Sequence, residues 1–128
     1  MADRLSPLSL TSGLSVFRQT DYNATSNPAA FTSAATVLKL LSIDNTANAA
    51  ATSYAKFINA ATYTVGTGAP DMIIPVPGGA TIEVAIMGTT NLGFSFGTAL
   101  STACVTTPGT AGTTNPTSDV VLAAVASI

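Results

Sequence analysis

Histidine and tryptophan are missing from this 128-residue sequence, and cysteine occurs only once. Without histidine, the chain has neither the base of a Ser-His-Asp or Cys-His nucleophilic site nor the commonest protein ligand of zinc. A single Cys104 excludes a disulfide within the chain, and a free cysteine is typically a small buried core residue. These absences argue against hydrolytic and zinc-dependent enzymes.

Charge is also scarce: 8% of the residues are charged, against about 25% in a typical soluble domain. The hydrophobic share is 47%, which is too high for an intrinsically disordered chain. A surface with so few charges does not favour a soluble monomer. We therefore expect much of this surface to face other protein in an oligomer or an assembled lattice. A secreted or crystalline surface protein is the alternative.

The basic residues are few and scattered, and the net charge is −2. They are Arg4, Arg18, Lys39 and Lys56. Binding to a nucleic-acid backbone requires clustered basic side chains, so we expect no nucleic-acid partner. No apolar run reaches membrane length, and the N-terminus does not resemble a secretory signal. The sequence thus predicts no membrane partner and synthesis in the cytoplasm.

The clearest strand pattern lies in residues 70–87, PDMIIPVPGGATIEVAIM. Residues 81–86 alternate between apolar and polar or small side chains, which is the period of a half-buried strand. Residues 77–79, Pro-Gly-Gly, suit a tight reversal, so the whole stretch is predicted to form a β-hairpin. Pro75 lacks a backbone donor, which predicts that its strand lies at an edge or carries a bulge.

No pair of carboxylates is predicted to form an acid/base site. Asp71 and Glu83 share the predicted hairpin, but they are about three residues out of register. The sequence contains neither a phosphate-binding glycine loop nor the spacing of an EF-hand. Asp44 and Asp119 are interpreted as turn residues. We therefore predict no catalytic residues, no metal site and no cofactor, and expect that the protein is not an enzyme.

Short apolar runs separated by turn residues recur along the chain. Strands are predicted at 14–18, 36–43, 52–58, 62–65, 100–106 and 118–128, with a short element at 91–97 and an exposed loop at 107–117. A capped helix beginning at Ser118 is the alternative for the last segment. The pattern indicates an all-β protein, an antiparallel β-sandwich or jelly roll of about seven or eight short strands.

Residues 1–35 have no sustained helical or strand period. They are predicted to form an extended N-terminal arm, and residues 36–128 the β-sandwich domain. Such an arm packs along its own domain or reaches onto a neighbouring molecule, and a partly disordered tail is the alternative. Asn27 followed by Pro28 also allows a helix to begin there.

Three segments carry a resemblance to a known class of protein. They are SIDNTANAAATSYAKFINAA, YTVGTGAPDMIIPVPGGATIEVAI and GFSFGTALSTACVTT, followed by a Thr/Gly/Pro loop and a Val-rich terminal strand. Together, residues 42–128 resemble small β-sandwich virion proteins of tailed bacteriophages. The Asn-Ala-Ala-Ala stretch and the Pro-Val-Pro-Gly-Gly turn account for most of the likeness.

The resemblance implies a structural role without catalysis. The implied function is that of a capsid decoration (cement) protein on the exterior of the virion, with the major capsid protein as partner and a homo-oligomer, dimer or trimer, as the working form. A receptor-binding or knob module of a tail fibre or tail tip is the alternative. The apolar residues of the arm are the predicted contacts with the capsid or with other copies: Leu8, Leu10, Leu14, Val16, Phe17, Tyr22 and Phe31.

Overall fold

The computed structural model describes residues 4–9, 14–24, 32, 34–85 and 93–128. These residues contain no helix and form nine strands. The strands are β1 Arg4–Ser9, β2 Leu14–Gln19, β3 Thr36–Asp44, β4 Ser53–Asn59, β5 Met72–Val76, β6 Thr81–Ala85, β7 Phe94–Phe96, β8 Leu100–Val105 and β9 Val121–Ser127.

The strands form two antiparallel sheets that pack as a sandwich. The large sheet has the order β1-β2-β9-β3-β6, and β7 pairs with the part of β3 that β6 leaves free. The small sheet has the order β5-β4-β8. The prediction of an all-β sandwich is therefore confirmed.

The core lies between the inner faces of the two sheets, and β2, β3 and β9 show this by alternating between buried and more accessible positions, apart from the bulge in β3. The largest buried side chains in the cluster include Phe17, Leu38, Ile43 and Leu122 from the large sheet and Phe57 and Leu100 from the small sheet. Cys104 is buried in the same cluster, as the sequence predicted.

Most predicted strands lie where the sequence placed them. Residues 36–43, 52–58 and 100–106 correspond to β3, β4 and β8. The last segment forms β9, which lies between β2 and β3 as a central strand and not as a helix. Pro75 lies in β5, an edge strand of the small sheet, as expected from its missing donor.

The predicted hairpin at 70–87 is wrong. Its strands exist, but β5 pairs with β4 and β6 pairs with β3, so they belong to different sheets. The Pro-Gly-Gly turn therefore carries the chain from the small sheet to the large one. Residues 86 and 87 lie outside the described residues.

A buried asparagine explains this corner. Asn45 is 0% exposed, and its Nδ2 donates to the carbonyl oxygens of Val76 and Ala51, each at 3.0 Å. Its Oδ1 accepts from Asn48 Nδ2 at 2.9 Å and from the Ser53 hydroxyl at 3.1 Å. Asn45 therefore joins the end of β5 to the start of β4, which holds the chain at the corner between the sheets.

Asn48 extends this network to the last connection of the fold. Its Nδ2 donates to the carbonyl oxygen of Ser118 at 2.9 Å, and its Oδ1 accepts from the Ser118 backbone N–H at 2.8 Å. The connections β3–β4, β5–β6 and β8–β9 all pass from one sheet to the other. The Asn45–Asn48 pair thus links, at one end of the sandwich, three connections that pass between the two sheets.

Part of the predicted N-terminal arm lies within the sandwich. β2 pairs with β9 along its whole length, from Leu14 opposite Ser127 to Gln19 opposite Leu122. Tyr22 follows, 0% exposed, with its backbone N–H donating to the carbonyl oxygen of Val120 at 2.9 Å. Residues 14–24 therefore pack along their own domain. The possible helix at Asn27 lies outside the described residues.

Candidate interaction face

Loops of the same chain cover the part of the small sheet's outer face that β8 and Lys56 form. Ala103 and Val105 point away from the core, on the same side as Lys56, yet both are 0% exposed. Lys56 Nζ donates to the carbonyl oxygen of Gly112 at 3.5 Å, and the Ser101 hydroxyl donates to that of Ala60 at 2.6 Å. These contacts place the loops after β4 and β8 over this face.

The outer face of the large sheet is open by comparison. Leu40 lies on it with 47% of its surface exposed. A concavity of about 520 Å³ lies over this face. Its lining is mainly apolar and includes Val16, Leu40, Ala85, Ala123 and Val125.

Strand register places four of these side chains in one line across the sheet. Val16 lies opposite Val125, Val125 opposite Leu40, and Leu40 opposite Ala85. Residues directly opposite each other in antiparallel strands share a face and lie close enough to contact. We call this line the apolar row: Val16, Val125, Leu40 and Ala85.

The neighbouring line on the same face has opposite charges at its two ends. Arg18 lies opposite Ala123, Ala123 opposite Ser42, and Ser42 opposite Glu83. Three strand spacings separate Arg18 from Glu83, about 14 Å, so the two side chains do not pair within one chain. We call this line the charged row: Arg18, Ala123, Ser42 and Glu83.

A β-bulge places Leu40 on the outer face. The register between β3 and β9 shifts between Leu38 and Leu40, so that Lys39 is an extra residue. Leu38 and Leu41 are 0% and 3% exposed, and Leu40 between them points outward. In a regular strand Leu38 and Leu40 would share one face. The bulge therefore exposes a leucine that simple alternation would bury.

The predicted contact residues are divided by the alternation of β2. Leu14, Val16 and Arg18 point outward, while Phe17 is 1% exposed on the inner face. Tyr22 is 0% exposed, and its hydroxyl is hydrogen-bonded to that of Thr102 on the opposite sheet. Phe17 and Tyr22 are thus core residues of their own chain, which corrects their assignment as contact residues.

Three further residues were predicted as contacts: Leu8, Leu10 and Phe31. Leu8 in β1 is at the register position opposite Val16, at the end of the apolar row. Leu10 and Phe31 lie outside the described residues. The expectation of an interaction surface thus rests on Leu8, Leu14 and Val16 from the original set. Val125, Leu40 and Ala85 join them only once the strand order is known.

The reactive side chains in the described part of the chain do not converge. Asp71 lies just before β5 and Glu83 in β6, on different sheets, and Asp71 Oδ2 accepts the backbone N–H of Asn59 at 2.7 Å. The described residues contain no group of three or more Cys, Asp or Glu side chains that could hold a metal ion. They also contain no helix long and apolar enough to cross a membrane.

Burial suppresses the reactivity of Cys104 and Lys56. Burial raises the pKa of the Cys104 thiol to about 12, although a hydrogen bond with Ser53 opposes the shift. At neutral pH the thiol is therefore protonated, and it is the thiolate that acts as a nucleophile. Burial lowers the pKa of the Lys56 ammonium from its ordinary value.

No protein-family model, no curated protein and no solved structure matches this chain. Its function must therefore be argued from its own residues. The most distinctive surface in the described residues is the outer face of the large sheet, with its apolar row beside its charged row. Such a face is suited to binding another protein surface.

Proposed function

We propose that this chain is a structural virion protein, a decoration (cement) protein that binds the outside of a phage capsid. There it would stabilise the shell by tying neighbouring capsid subunits together. The observation that carries the proposal is the open apolar row on the large sheet. The low charge content and the resemblance of residues 42–128 to small phage virion proteins support it.

The partners in this proposal are the major capsid protein and further copies of the same chain. The working form would be a homo-oligomer, a dimer or a trimer, on the capsid exterior. The apolar row contains four small or medium side chains, so the area that each copy can bury is modest. Burial contributes roughly 25 cal/mol per Å² of apolar surface, and a symmetric oligomer gains further affinity by binding at several points at once. Many weak contacts could thus reinforce a shell without any catalytic step.

The experiment uses capsids that lack this chain. Purified protein is added, capsids are pelleted, and bound chain is measured together with the temperature at which the shells open. We expect saturable binding and a higher opening temperature. Folded protein that neither pellets with capsids nor changes their opening temperature would contradict the proposal.

A matched pair of substitutions tests whether the apolar row is needed for capsid binding. Val125→Lys places a charge at the centre of the apolar row, while Ala61→Lys places the same charge at an exposed position in the loop after β4. Val125→Lys should weaken capsid binding, either directly or through loss of the oligomer, and Ala61→Lys should not. Equal capsid binding by both variants would show that the apolar row is not needed for capsid binding.

A second candidate is a receptor-binding or knob module of a phage tail fibre or tail tip. The observation that favours it is the exposed run at residues 107–109 in the loop after β8. This candidate predicts that the purified chain binds host cells and that deletion of the exposed loop abolishes that binding. Binding to capsids without binding to cells would exclude it.

A further inference from the structure

We infer that the outer face of the large sheet is the contact between two copies of this chain, related by a two-fold axis parallel to the strands. The inference deepens the homo-oligomer of the proposed function, because it names the face, the symmetry and the pairing. It can be tested on the purified chain without capsids.

The charged row selects the direction of the axis. A two-fold axis that runs parallel to the strands, between β9 and β3, exchanges β2 with β6 and β9 with β3. It lays Arg18 of each copy over Glu83 of the other, so two opposite-charge pairs close the two sides of the interface. An axis across the strands along this row would lay Arg18 over Arg18 and Glu83 over Glu83. Like charges facing each other oppose association, so the parallel axis is favoured.

The apolar row is complementary to itself under the same axis. Val16 of one copy lies over Ala85 of the other, and Val125 lies over Leu40. Each pair joins side chains of different size, which allows facing rows to interdigitate at the spacing of about 10 Å between packed sheets. Ala123 and Ser42, at the centre of the charged row, are small enough to allow that approach.

The area of the face fits a weak, reversible dimer. The axis between β9 and β3 overlays four strand positions, because β1 extends beyond the edge strand of the other copy. Four strands at about 4.8 Å and six residues at about 3.3 Å give a face of roughly 400 Å² for each copy. Two copies would bury roughly 800 Å², in the range of weak and transient interfaces, so we expect a dimer that dissociates at micromolar to millimolar concentration.

The test is sedimentation velocity on the full chain over a series of concentrations from micromolar to millimolar, with four variants. Arg18→Glu and Glu83→Arg each replace two attractive pairs with two repulsive ones, and each should weaken the dimer by about tenfold or more. The double variant, Arg18→Glu with Glu83→Arg, should restore the dimer to within about threefold of the natural chain. Asp119→Arg, an exposed charge reversal before β9, should leave it unchanged.

Circular dichroism and protection of Cys104 from thiol reagents verify that each variant is folded. Loss of the dimer in the single variants and its return in the double variant would establish the interface. A chain that is monomeric at all concentrations, a trimer, or a dimer indifferent to both single substitutions would overturn it. A monomer that still binds capsids would overturn this inference and leave the proposed function standing. A dimer that does not bind capsids would support this inference and contradict the proposed function.

Discussion

Asn45 and Asn48 are hydrogen-bonded to each other through their side-chain amides, at 2.9 Å, inside one end of the sandwich. This pair links three connections that pass between the two sheets. A buried amide that satisfies several backbone groups is costly to remove, because each abandoned group stays buried without a partner. The pair therefore holds the two sheets together at this end of the sandwich.

Asn45→Ala should lower the free energy of unfolding by about 3 kcal/mol or more. The substitution leaves the carbonyl oxygen of Val76 without its buried donor and removes the acceptor of the Ser53 hydroxyl. Asn59→Ala is the matched control, since Asn59 is exposed and its Oδ1 accepts one bond, from the backbone N–H of Thr98 at 2.7 Å. Asn59→Ala should lower the free energy of unfolding by about 1 kcal/mol or less. Urea denaturation measures both, and equal losses would show that Asn45 does not hold the corner.

Gly78→Ala should also destabilise the corner, by about 2 kcal/mol. A Cβ atom at Gly78 would lie 2.6 Å from the Ala51 backbone nitrogen and 2.7 Å from the Asn48 carbonyl oxygen. Backbone atoms of the opposite crossing cannot move away cheaply. Gly97→Ala is the control, because a Cβ atom there meets no atom within 4 Å. It should leave the melting temperature unchanged or slightly raised. A Gly78→Ala variant as stable as the Gly97→Ala variant would contradict the close approach.

Cys104 should not react with thiol reagents while the chain is folded. The thiol is 0% exposed and its pKa is raised to about 12, so access and ionisation are both suppressed at about pH 8. Adding denaturant should release one reactive thiol per chain, because Cys104 is the only cysteine. A colorimetric thiol assay with and without denaturant measures this. Rapid labelling of the native chain would show that the core between the sheets is open.

Lys56→Met should raise the free energy of unfolding by about 1 kcal/mol at neutral pH. The side chain is 0% exposed, and burial disfavours the charged ammonium and lowers its pKa. The free-energy cost of the buried charge is complete while Lys56 is charged in the folded state. It declines as the pH rises from the pKa of Lys56 in the folded chain toward its pKa in the unfolded chain. The advantage of the methionine variant should therefore shrink at alkaline pH. Urea denaturation at neutral and alkaline pH tests this, and an advantage that grows with pH would contradict it.

The sequence was sufficient for most of the strands but not for their pairing. Alternation and turn residues located β3, β4, β8 and β9, because those signals are local. The Pro-Gly-Gly turn is equally compatible with a hairpin and with a corner between sheets. The choice depends on Asn45, which bonds to Val76, 31 residues away. A local pattern cannot reveal such a partner.

The candidate face was still less accessible from sequence. Val16 was identified as an apolar contact candidate, but its neighbours Val125 and Leu40 come from strands far apart in the chain. Strand order and register must be known before these residues form a row. Leu40 faces outward because of a bulge, and regular alternation would have predicted the opposite. Phe17 was predicted as a contact residue because the sequence alone does not show which face of the strand at 14–18 packs against the core.

The proposed function requires many copies of this chain on the outside of a phage shell. Electron cryomicroscopy of purified virions that carry the chain, combined with its copy number relative to the major capsid protein, tests this requirement most directly. We expect density of the size of this sandwich, repeated over the capsid exterior with the symmetry of the shell. Density confined to the tail at a few copies would contradict the proposed function.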